Sequence, residues 1–256
     1  MNILIVDIYC LSTKVDYISK EELFNEIDTG NRISVIGCAA HNVVRAYKDP
    51  MLQNYINFAS YRIADGVPLT WPYYIINKNK ISRFNGMDVV ENYFFNENSF
   101  RHFFIGSSEE ILKKAHRNIL EKNSKFNLVG TYIPPFSDVS KWKFDEIIQK
   151  IDNCNANFIW VGVGSLKQEE LMYRIQVVNP NLNMYSAGAA FDWVAGKTKR
   201  APNLFKVLGL EWFYRLLAEP TRLWKRYLVD NTLFLYLFIR QLLTKEKFRK
   251  PLEIKQ

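Results

Sequence analysis

Short apolar runs alternate along the chain with stretches of helical periodicity. The runs predict strands over residues 2–8, 33–39, 61–64, 103–106, 126–132, 157–163 and 184–187. Helical patterns lie between them, over 19–28, from 42, from 68, and over 107–121, 143–152 and 167–177. Because the apolar runs do not alternate with polar residues, both faces of the sheet are expected to be covered. The sequence predicts an α/β fold with a mostly parallel sheet.

Capping residues mark two of the helix starts. Ser19 precedes Glu21 and Glu22, whose charges are favourable at the N-terminal end of a helix dipole. Asn42 follows the second apolar run and is placed to cap the next helix. Helices are therefore expected to begin at these two positions.

The composition is that of a globular protein. The chain has 256 residues, 48% hydrophobic and 23% charged, which excludes wholesale disorder. No stretch reaches the roughly 18 unbroken apolar residues of a membrane-spanning helix, so a polytopic membrane protein is excluded. The N-terminal run lacks the basic flank and cleavage site of a secretory signal. Three widely spaced cysteines argue against a disulfide framework or structural zinc and fit a reducing cytoplasm.

The excess of positive charge lies in the C-terminal quarter of the chain. Residues 196–256 contain 14 Lys or Arg and 5 Asp or Glu, a net charge of +9. Residues 1–195 contain 20 basic and 21 acidic side chains, a net charge of −1. This asymmetry predicts an α/β domain over residues 1–195 and a basic, amphipathic helical appendage over residues 196–256 that meets a polyanion.

The residues between these basic side chains indicate which polyanion the appendage meets. Residues 204–217 are rich in Leu, Phe and Trp, and residues 232–239 read TLFLYLFI. Interfacial segments mix such side chains with Lys and Arg, whereas nucleic-acid-binding tails are usually polar between their basic residues. The composition favours an anionic membrane surface over nucleic acid. An ordinary basic helix packed against the domain is the alternative.

Glycines that directly follow two predicted strands are candidates for binding a phosphate. Open α/β sheets bind ligands beyond the carboxyl ends of their strands. Gly106, and Gly162 with Gly164, open predicted helices whose free N–H groups suit phosphate oxygens. Neither site is a Walker A loop or a G-x-G-x-x-G turn, and such glycines are also used for structure alone.

Asp65 is the acidic candidate at the same edge of the predicted sheet. It follows the apolar run 61–64, where a carboxylate can accept a proton from a substrate hydroxyl. The alternative is that Asp65 caps the helix that begins near Pro68.

The histidines give no sign of a metal site. His41, His102 and His116 are widely separated, and no H-E-x-x-H or D-x-D motif occurs. A Ser–His–Asp triad cannot be proposed from the spacing either. His41 is expected to be a packed or surface side chain, and neither a metal nor another cofactor is expected.

Four motifs, in order along nearly the whole chain, carry a family resemblance. Residues 64–69 read ADGVPL, residues 83–88 read RFNGMD, residues 162–169 read GVGSLKQE, and residues 188–227 read GAAFDWVAGKTKRAPNLFKVLGLEWFYRLLAEPTRLWKRY. The chain thereby resembles the WecG/TagA/CpsF family of bacterial glycosyltransferases. Two positions depart from the family pattern. Leu166 stands where proline is usual, and Val44 stands where glutamate often follows the Asn of an N-x-E segment.

The resemblance implies a Rossmann-like domain that binds a nucleotide sugar and an appendage that completes the site at the membrane. It implies inverting, metal-independent transfer of an N-acetylmannosamine-type or glucose-type sugar from a UDP-sugar to an undecaprenyl-diphosphate-linked sugar, in cell-surface polysaccharide or teichoic acid synthesis. The expected location is the cytoplasm, peripherally on the inner face of the cell membrane. The expected partners are the UDP-sugar, the polyprenyl-diphosphate-linked acceptor and the anionic membrane surface, but no nucleic acid. A homo-oligomer is left open.

The resemblance also implies roles for single residues. Asp65 matches the residue proposed as the family's catalytic base. Without a metal, N–H groups and cationic side chains must stabilise the leaving diphosphate, and amide side chains can bind sugar hydroxyls or phosphate oxygens. The substrate-binding candidates are Asn42, Arg83, Gly106, Gly162, Gly164, Lys167 and Gln168. For the polar side chains, the alternative role is helix capping or solvation at the surface.

Three arginines of the appendage are candidates for binding the acceptor's lipid diphosphate. Arg222 and Arg226 are four residues apart on a predicted helix, and Arg215 lies on the preceding one. A bidentate guanidinium suits a diphosphate better than a lysine does. Trp212 and Trp224 are expected to contact the bilayer interface. The alternative is that the arginines form salt bridges to the domain.

Two other functional classes stay open. A nucleotide-sugar-processing enzyme, such as a dehydrogenase or epimerase, is disfavoured because no G-x-G-x-x-G turn follows the first predicted strand. A non-catalytic membrane-recruitment protein of the same fold is disfavoured because Asp65, Arg83 and Gln168 are retained.

Overall fold

Parallel strands form the centre of the fold, and two further strands form a hairpin beside them. This computed structural model describes residues 8–79, 81, 86–199, 201–202, 205 and 209–244. The strands in that part of the chain are β1 (Ile8–Cys10), β2 (Thr13–Val15), β3 (Ser34–Cys38), β4 (Tyr61–Ala64), β5 (His102–Gly106), β6 (Leu128–Tyr132), β7 (Phe158–Gly162) and β8 (Asn183–Ser186). The helices there are α1 (Lys20–Asp28), α2 (Ala40–Lys48), α3 (Pro50–Phe58), α4 (Trp71–Asn77), α5 (Gly86–Phe95), α6 (Glu109–Lys122), α7 (Phe144–Asn153), α8 (Lys167–Val178), α9 (Ala190–Val194), α10 (Glu211–Ala218), α11 (Pro220–Trp224) and α12 (Asn231–Leu243). A π-helical segment, Lys225–Asp230, joins α11 to α12, and 3-10 turns cover Val67–Thr70 and Val139–Lys141.

The central sheet is parallel throughout, with the strand order β4-β3-β8-β7-β5-β6. All six strands begin and end within two residues of predicted ones. In β7, Ile159 and Val161 join one apolar cluster, whereas Phe158 and Trp160 join the other, because alternate residues of a strand point to opposite faces. Helices α2, α3, α7, α8 and α12 cover the first face, and α1, α5, α6 and α9 cover the second. The predicted α/β fold is confirmed.

Ile8 is the one described residue of the N-terminal run predicted as a strand, and it lies outside this sheet. Residues 2–7 lie outside the described part of the chain, and Ile8 begins β1, which pairs antiparallel with β2. Leu11 and Ser12 turn the chain with φ values of 48° and 64°, as in a tight hairpin turn. The prediction of a strand over residues 2–7 lies outside the described residues, and Ile8 belongs to the hairpin.

A buried ion pair fastens this hairpin to the edge strand β4. Asp16, directly after β2, is 6% exposed, and Arg62 in β4 is 3% exposed. The Arg62 Nε and Nη2 atoms lie 2.8 and 2.6 Å from Asp16 Oδ2, and the Arg62 backbone N–H donates to the same oxygen at 2.7 Å. The guanidinium also donates to the carbonyls of Asn57, at 2.9 Å, and Ala59. Asp16 thus covers part of an edge that would otherwise expose unpaired backbone groups.

The two predicted helix starts have different outcomes. Ser19 caps α1 as predicted, with a reciprocal capping box to Glu22. Helix α2 begins at Ala40, so the prediction that Asn42 is its N-cap is wrong. Asn42 instead lies in the first turn, and its Oδ1 accepts the Ala39 N–H at 3.2 Å. Asn42 therefore makes one of the two hydrogen bonds of a capping box. The other is missing because the N-cap residue, Ala39, has no side-chain acceptor.

His102 is a packing residue inside the second apolar cluster. Its Nδ1 accepts the Trp160 indole N–H at 3.0 Å, and its Nε2 lies 2.9 Å from Asn98 Oδ1. The ring stacks on Phe126 with centroids 4.3 Å apart. Burial lowers the pKa of His102 to about 3, so the imidazole is neutral near pH 7. Both ring nitrogens are hydrogen-bonded, which leaves His102 a structural role.

The appendage returns to the domain through α12. Phe234 and Phe238 are buried in the first apolar cluster, and the Phe238 ring lies 5.8 Å from that of Trp71. Gln241 accepts the Leu11 N–H at 3.1 Å and donates to the Tyr9 carbonyl at 3.0 Å. One side of α12 is therefore fixed to the domain and the hairpin. A division of the chain at residue 195 stays a prediction.

An ion pair holds the π-helical segment against α2. Arg45 Nη2 lies 3.1 Å from Asp230 Oδ1, and Asp230 is 5% exposed.

Within the described ranges, no helix combines the length and the apolar character needed to cross a bilayer.

Candidate functional site

A cavity of about 1300 Å³ opens at the carboxyl ends of the parallel strands. Its wall on the domain side includes residues that follow five of the strands, namely Ala39, Asp65, Ser107, Val163 and Ala187. The appendage also lines the cavity, through α10, α11, the π-helical segment and the start of α12. This is the edge of the sheet at which ligands bind in open α/β folds.

Asp65 lies in this wall directly after β4. Its backbone N–H donates to the Cys38 carbonyl at 2.7 Å, which extends the pairing of β3 with β4 by one residue. The following 3-10 turn begins at Val67 and has Gly66 at its capping position, so Asp65 lies one residue before the cap. The half-buried carboxylate therefore belongs to the rim of the sheet, where the sequence placed it.

Gly106 and Gly162 are paired at the ends of the neighbouring strands β5 and β7, and both line the cavity. A Cβ on Gly106 would lie 2.5 Å from the Gly162 carbonyl oxygen, and a Cβ on Gly162 would lie 2.6 Å from the Phe191 ring. Close packing thus requires glycine at both positions. Gly164, with φ at 94°, supplies the turn before α8. Their role in phosphate binding stays a prediction.

The loop before α8 is shaped differently from one that contains proline. Leu166 has φ at 77°, a conformation that costs a non-glycine residue about 1–3 kcal/mol. Its N–H donates to Glu169 Oε2 at 2.5 Å. Proline has φ near −65° and no N–H, so it could not take this conformation or make this bond. The departure at Leu166 is therefore consistent with the local structure.

A buried polar cluster lies behind this loop and joins α2 to α8. Asn42 Nδ2 donates to Ser165 Oγ and to Glu169 Oε1, both at 2.9 Å. Gln168 Nε2 donates to the same Glu169 oxygen at 3.2 Å, and His41 Nε2 lies 2.9 Å from Ser165 Oγ. Burial raises the pKa of Glu169, while the N–H groups bound to its carboxylate oppose this shift.

Asn42 is thus engaged in holding the loop. Both of its N–H donors and its carbonyl oxygen are hydrogen-bonded within the chain, although the residue lines the cavity. Direct contact between Asn42 and a substrate stays a prediction. Its neighbour His41 was expected to be packed or at the surface, and it is 7% exposed and also lines the cavity.

Lys167 lies on the side of the cavity nearest the loop after β6. Its Nζ donates to the Ser137 carbonyl at 2.9 Å and lies 5.6 Å from the centroid of the Phe136 ring. Gln168, one residue later, is 5% exposed. Both predicted residues therefore line the cavity, with Gln168 deeper than Lys167.

Arg83 lies outside the described residues, but the motif that contains it continues into α5. Gly86 and Met87 line the cavity. The Tyr185 hydroxyl, at the end of β8, donates to the Gly86 carbonyl at 2.9 Å, and a Cβ on Gly86 would lie 3.0 Å from that hydroxyl oxygen. An ion pair between Lys20 and Asp88 links the same turn to α1. These contacts fix the start of α5 beside the cavity.

The three predicted arginines of the appendage all line the cavity. Arg215 lies on α10, Arg222 on α11 and Arg226 in the π-helical segment. Arg222 Nε lies 2.6 Å from Glu219 Oε2, so this side chain has a salt bridge within the appendage itself.

The electrostatic environment of Arg226 connects the arginines to Asp65. Burial lowers the pKa of Arg226, and Arg215 and Arg222 add to this shift. Tyr227 and Asp65 oppose it. The cavity therefore has positive side chains on the appendage side and a carboxylate at the strand ends, a distribution suited to a substrate that carries both a phosphate and a reactive hydroxyl.

The appendage exposes many large apolar side chains. They are 39–83% exposed and include Trp212, Phe213, Leu217, Trp224, Leu228, Leu235, Tyr236, Ile239 and Leu243. Trp212, Leu228 and Leu235 also line the cavity. Exposed apolar side chains in such number are typical of a surface that binds a partner or a membrane.

The part of the chain that the structure describes contains no group of three or more His, Cys, Asp or Glu side chains that could hold a metal ion.

Sequence reasoning did not single out Tyr185, Ser165 or Glu169. The motif GVGSLKQE contains two of them and could have pointed to the loop. No local pattern marks Tyr185, whose contact with Gly86 joins residues 99 positions apart.

Comparison with known protein families gives one finding. A family model described as "Glycosyl transferase WecG/TagA/CpsF family" matches residues 8–248, which include every described residue that lines the cavity.

Proposed function

The chain belongs to the WecG/TagA/CpsF family of glycosyl transferases, and from that premise we propose an inverting transfer from a UDP-sugar to a polyprenyl-diphosphate-linked sugar. One observation above all supports the proposal. A single cavity has a carboxylate, Asp65, at the strand ends and three arginines on the wall formed by the appendage. The acceptor that suits this wall carries a hydroxyl to be activated and a diphosphate to be bound.

The proposed reaction needs one proton transfer and one displacement. Asp65 accepts the proton of the acceptor hydroxyl while that oxygen attacks the anomeric carbon of the donor sugar. The bond between the anomeric carbon and the UDP oxygen breaks on the opposite face, which inverts the configuration, and UDP leaves with the bonding electron pair. The charge that develops on the diphosphate is stabilised by Lys167, Arg83 and N–H groups of the loop at 162–164, without a metal ion.

The appendage would hold the acceptor. Guanidinium groups form bidentate hydrogen bonds with phosphate oxygens, so Arg215, Arg222 and Arg226 are proposed to bind the acceptor's diphosphate. The exposed apolar surface of α10–α12 would lie in the membrane interface, where the polyprenyl chain resides. The protein would then act peripherally on the inner face of the cell membrane. Homo-oligomer formation stays open.

The proposal is tested by incubating the purified chain with bacterial membranes and a panel of labelled UDP-sugars. Release of UDP together with transfer of label into the lipid fraction supports it. Change of the sugar while UDP stays attached would identify a nucleotide-sugar-processing enzyme instead. Membrane binding without turnover of any donor would indicate a recruitment protein. The panel also identifies the donor sugar and the class of polymer precursor.

The arginine assignment predicts a selective loss of acceptor affinity. Arg222→Ala is expected to raise the KM for the lipid-linked acceptor about tenfold or more, because a charge-assisted hydrogen bond to the diphosphate is lost. Affinity for UDP, measured by calorimetry, should not change. Arg174→Ala is the matched control, since Arg174 has a similar salt bridge within a helix, to Glu170, far from the cavity lining. An equal loss of acceptor and UDP binding in Arg222→Ala would contradict the assignment.

The membrane assignment predicts that removing an exposed apolar side chain on α12 weakens binding to vesicles, whereas removing an equally exposed one on α8 does not. Ile239 on α12 is 54% exposed, and Val177 on α8 is 57% exposed. Ile239→Ser is expected to weaken co-sedimentation with phosphatidylglycerol vesicles about three- to tenfold, because it removes apolar area from the lipid contact. Val177→Ser should bind as the parent does. Binding that is the same in both variants would place the lipid contact elsewhere.

A further inference from the structure

Two buried polar atoms beside the cavity have no hydrogen-bond partner. Among the described residues, such atoms are found on Thr13, His41, Gln168 and Asn183. Only His41, at Nδ1, and Gln168, at Oε1, belong to residues that line the cavity. The two side chains are 7% and 5% exposed. Leaving a buried polar atom unpaired is unfavourable, so a ligand or a water that pairs with it is expected.

The orientation of the Gln168 amide follows from its neighbour. Its Nε2 donates to Glu169 Oε1 at 3.2 Å. The reversed amide would bring two oxygen atoms together, because a carboxylate can only accept. The unpaired Oε1 of Gln168 is therefore a hydrogen-bond acceptor.

The proton on the His41 ring follows from the same cluster. The Ala39 N–H fixes the Asn42 amide, whose Nδ2 then donates to Ser165 Oγ. The Ser165 hydroxyl has its own proton left to donate to His41 Nε2, 2.9 Å away. Burial and the positive charges of Arg226, Arg45 and Arg215 hold the pKa of His41 well below its usual range, so the ring is neutral. We assign its proton to Nδ1, as an unpaired donor, in the tautomer in which the Ser165 hydroxyl donates to Nε2.

We propose that His41 and Gln168 form a subsite for a secondary amide, in which His41 Nδ1–H binds the amide oxygen and Gln168 Oε1 binds the amide N–H. The –CO–NH– group offers one acceptor and one donor on neighbouring atoms, which matches one donor and one acceptor from two different helices. Both side chains are held by other hydrogen bonds, Ser165 for His41 and Glu169 for Gln168.

The subsite rests on the proposed function, which supplies three sources of the same chemical group. An acetamido group on the donor sugar, an acetamido group on the acceptor sugar and the imide edge of uracil all carry –CO–NH–. The residues that precede His41 in the cavity wall are small, namely Gly37, Ala39 and Ala40. They leave room beside the imidazole for the methyl of an acetamido group.

Two substitutions of His41 separate its two ring nitrogens. His41→Gln places a polar group near the former Nε2, towards Ser165, and removes the donor at Nδ1. His41→Asn keeps a donor near Nδ1 and gives up the contact with Ser165. His116→Gln is the control, because His116 lies on α6 and is absent from the cavity lining. Thermal unfolding identifies a variant that fails to fold.

The experiment compares amide-bearing and amide-free ligands in three arms. One compares UDP with CDP, one compares UDP-N-acetylhexosamines with the corresponding UDP-hexoses, and one compares lipid-linked acceptors with and without an acetamido group. The wild type is expected to prefer the amide-bearing member in one arm, and His41→Gln should reduce that preference tenfold to hundredfold. His41→Asn should retain more of it, and His116→Gln all of it. The arm that responds identifies the source of the amide.

Two results would overturn the inference while leaving the proposed function intact. One is turnover of UDP-sugars by a wild type that shows no amide preference in any arm. The other is an unchanged preference in folded His41→Gln, as expected if a buried water satisfies both atoms. Absence of both UDP binding and sugar transfer in the wild type would instead overturn the proposed function and the subsite together.

Discussion

Replacing Asp65 with asparagine is expected to lower the rate of sugar transfer about 10²–10⁴-fold, the usual contribution of a general base. Asparagine has nearly the same shape as aspartate but cannot accept a proton from the acceptor hydroxyl. The β3–β4 pairing that positions residue 65 uses its backbone N–H, so it should persist. Affinity for UDP should therefore change little. Single-turnover transfer from a saturating UDP-sugar measures the chemical step directly.

The control for this prediction is Asp145→Asn. Asp145 is an exposed carboxylate in the first turn of α7, absent from the cavity lining, and its variant removes the same charge. We expect it to transfer sugar at the parental rate. Transfer by Asp65→Asn within a few-fold of the parent would exclude Asp65 as the base and remove the main support for the proposed mechanism.

The second large effect is expected on stability rather than on catalysis. Asp16→Ala leaves the Arg62 guanidinium buried without its carboxylate, and breaking a buried pair in this way costs about 3–5 kcal/mol. The cost is high because an uncompensated charge stays in a medium of low polarity, and because the backbone N–H of Arg62 loses an acceptor at the same time. Urea unfolding monitored by circular dichroism should show the midpoint shift to lower denaturant concentration.

An exposed ion pair provides the comparison for Asp16→Ala. Glu97 and Lys125 lie 2.9 Å apart with side chains 67% and 70% exposed. Glu97→Ala is expected to change the free energy of unfolding by less than about 1 kcal/mol, because water solvates both partners. If Asp16→Ala were no more destabilising than Glu97→Ala, the hairpin would not depend on the buried pair.

The sequence by itself determined the sheet, because its evidence is local. A buried parallel strand is a short apolar run, and a helix beside it has a 3.6-residue period, so β3 to β8 are readable from neighbouring residues. Because ligands of open α/β sheets bind beyond the carboxyl ends of the strands, the sequence also placed Asp65, Gly106 and Gly162 at one edge of the sheet. The structure has all three in the lining of one cavity.

Local patterns failed where the outcome depended on what packs nearby. Ile8, the described end of the N-terminal apolar run, lies in an antiparallel hairpin and not in the parallel sheet. Asn42 is a good capping residue by type, yet α2 begins two residues before it. Both are short-range signals for which tertiary contacts chose between alternatives of similar free energy.

Only the tertiary structure decided which side chains meet. Asp16 and Arg62 are 46 residues apart, and Asn42 and Glu169 are 127 apart. The arginines of the appendage and Asp65 line one cavity, and α12 packs back on the domain through Phe234 and Phe238. Such contacts leave no periodic trace in the chain, since they arise when separately formed helices and strands bury their apolar faces against one another.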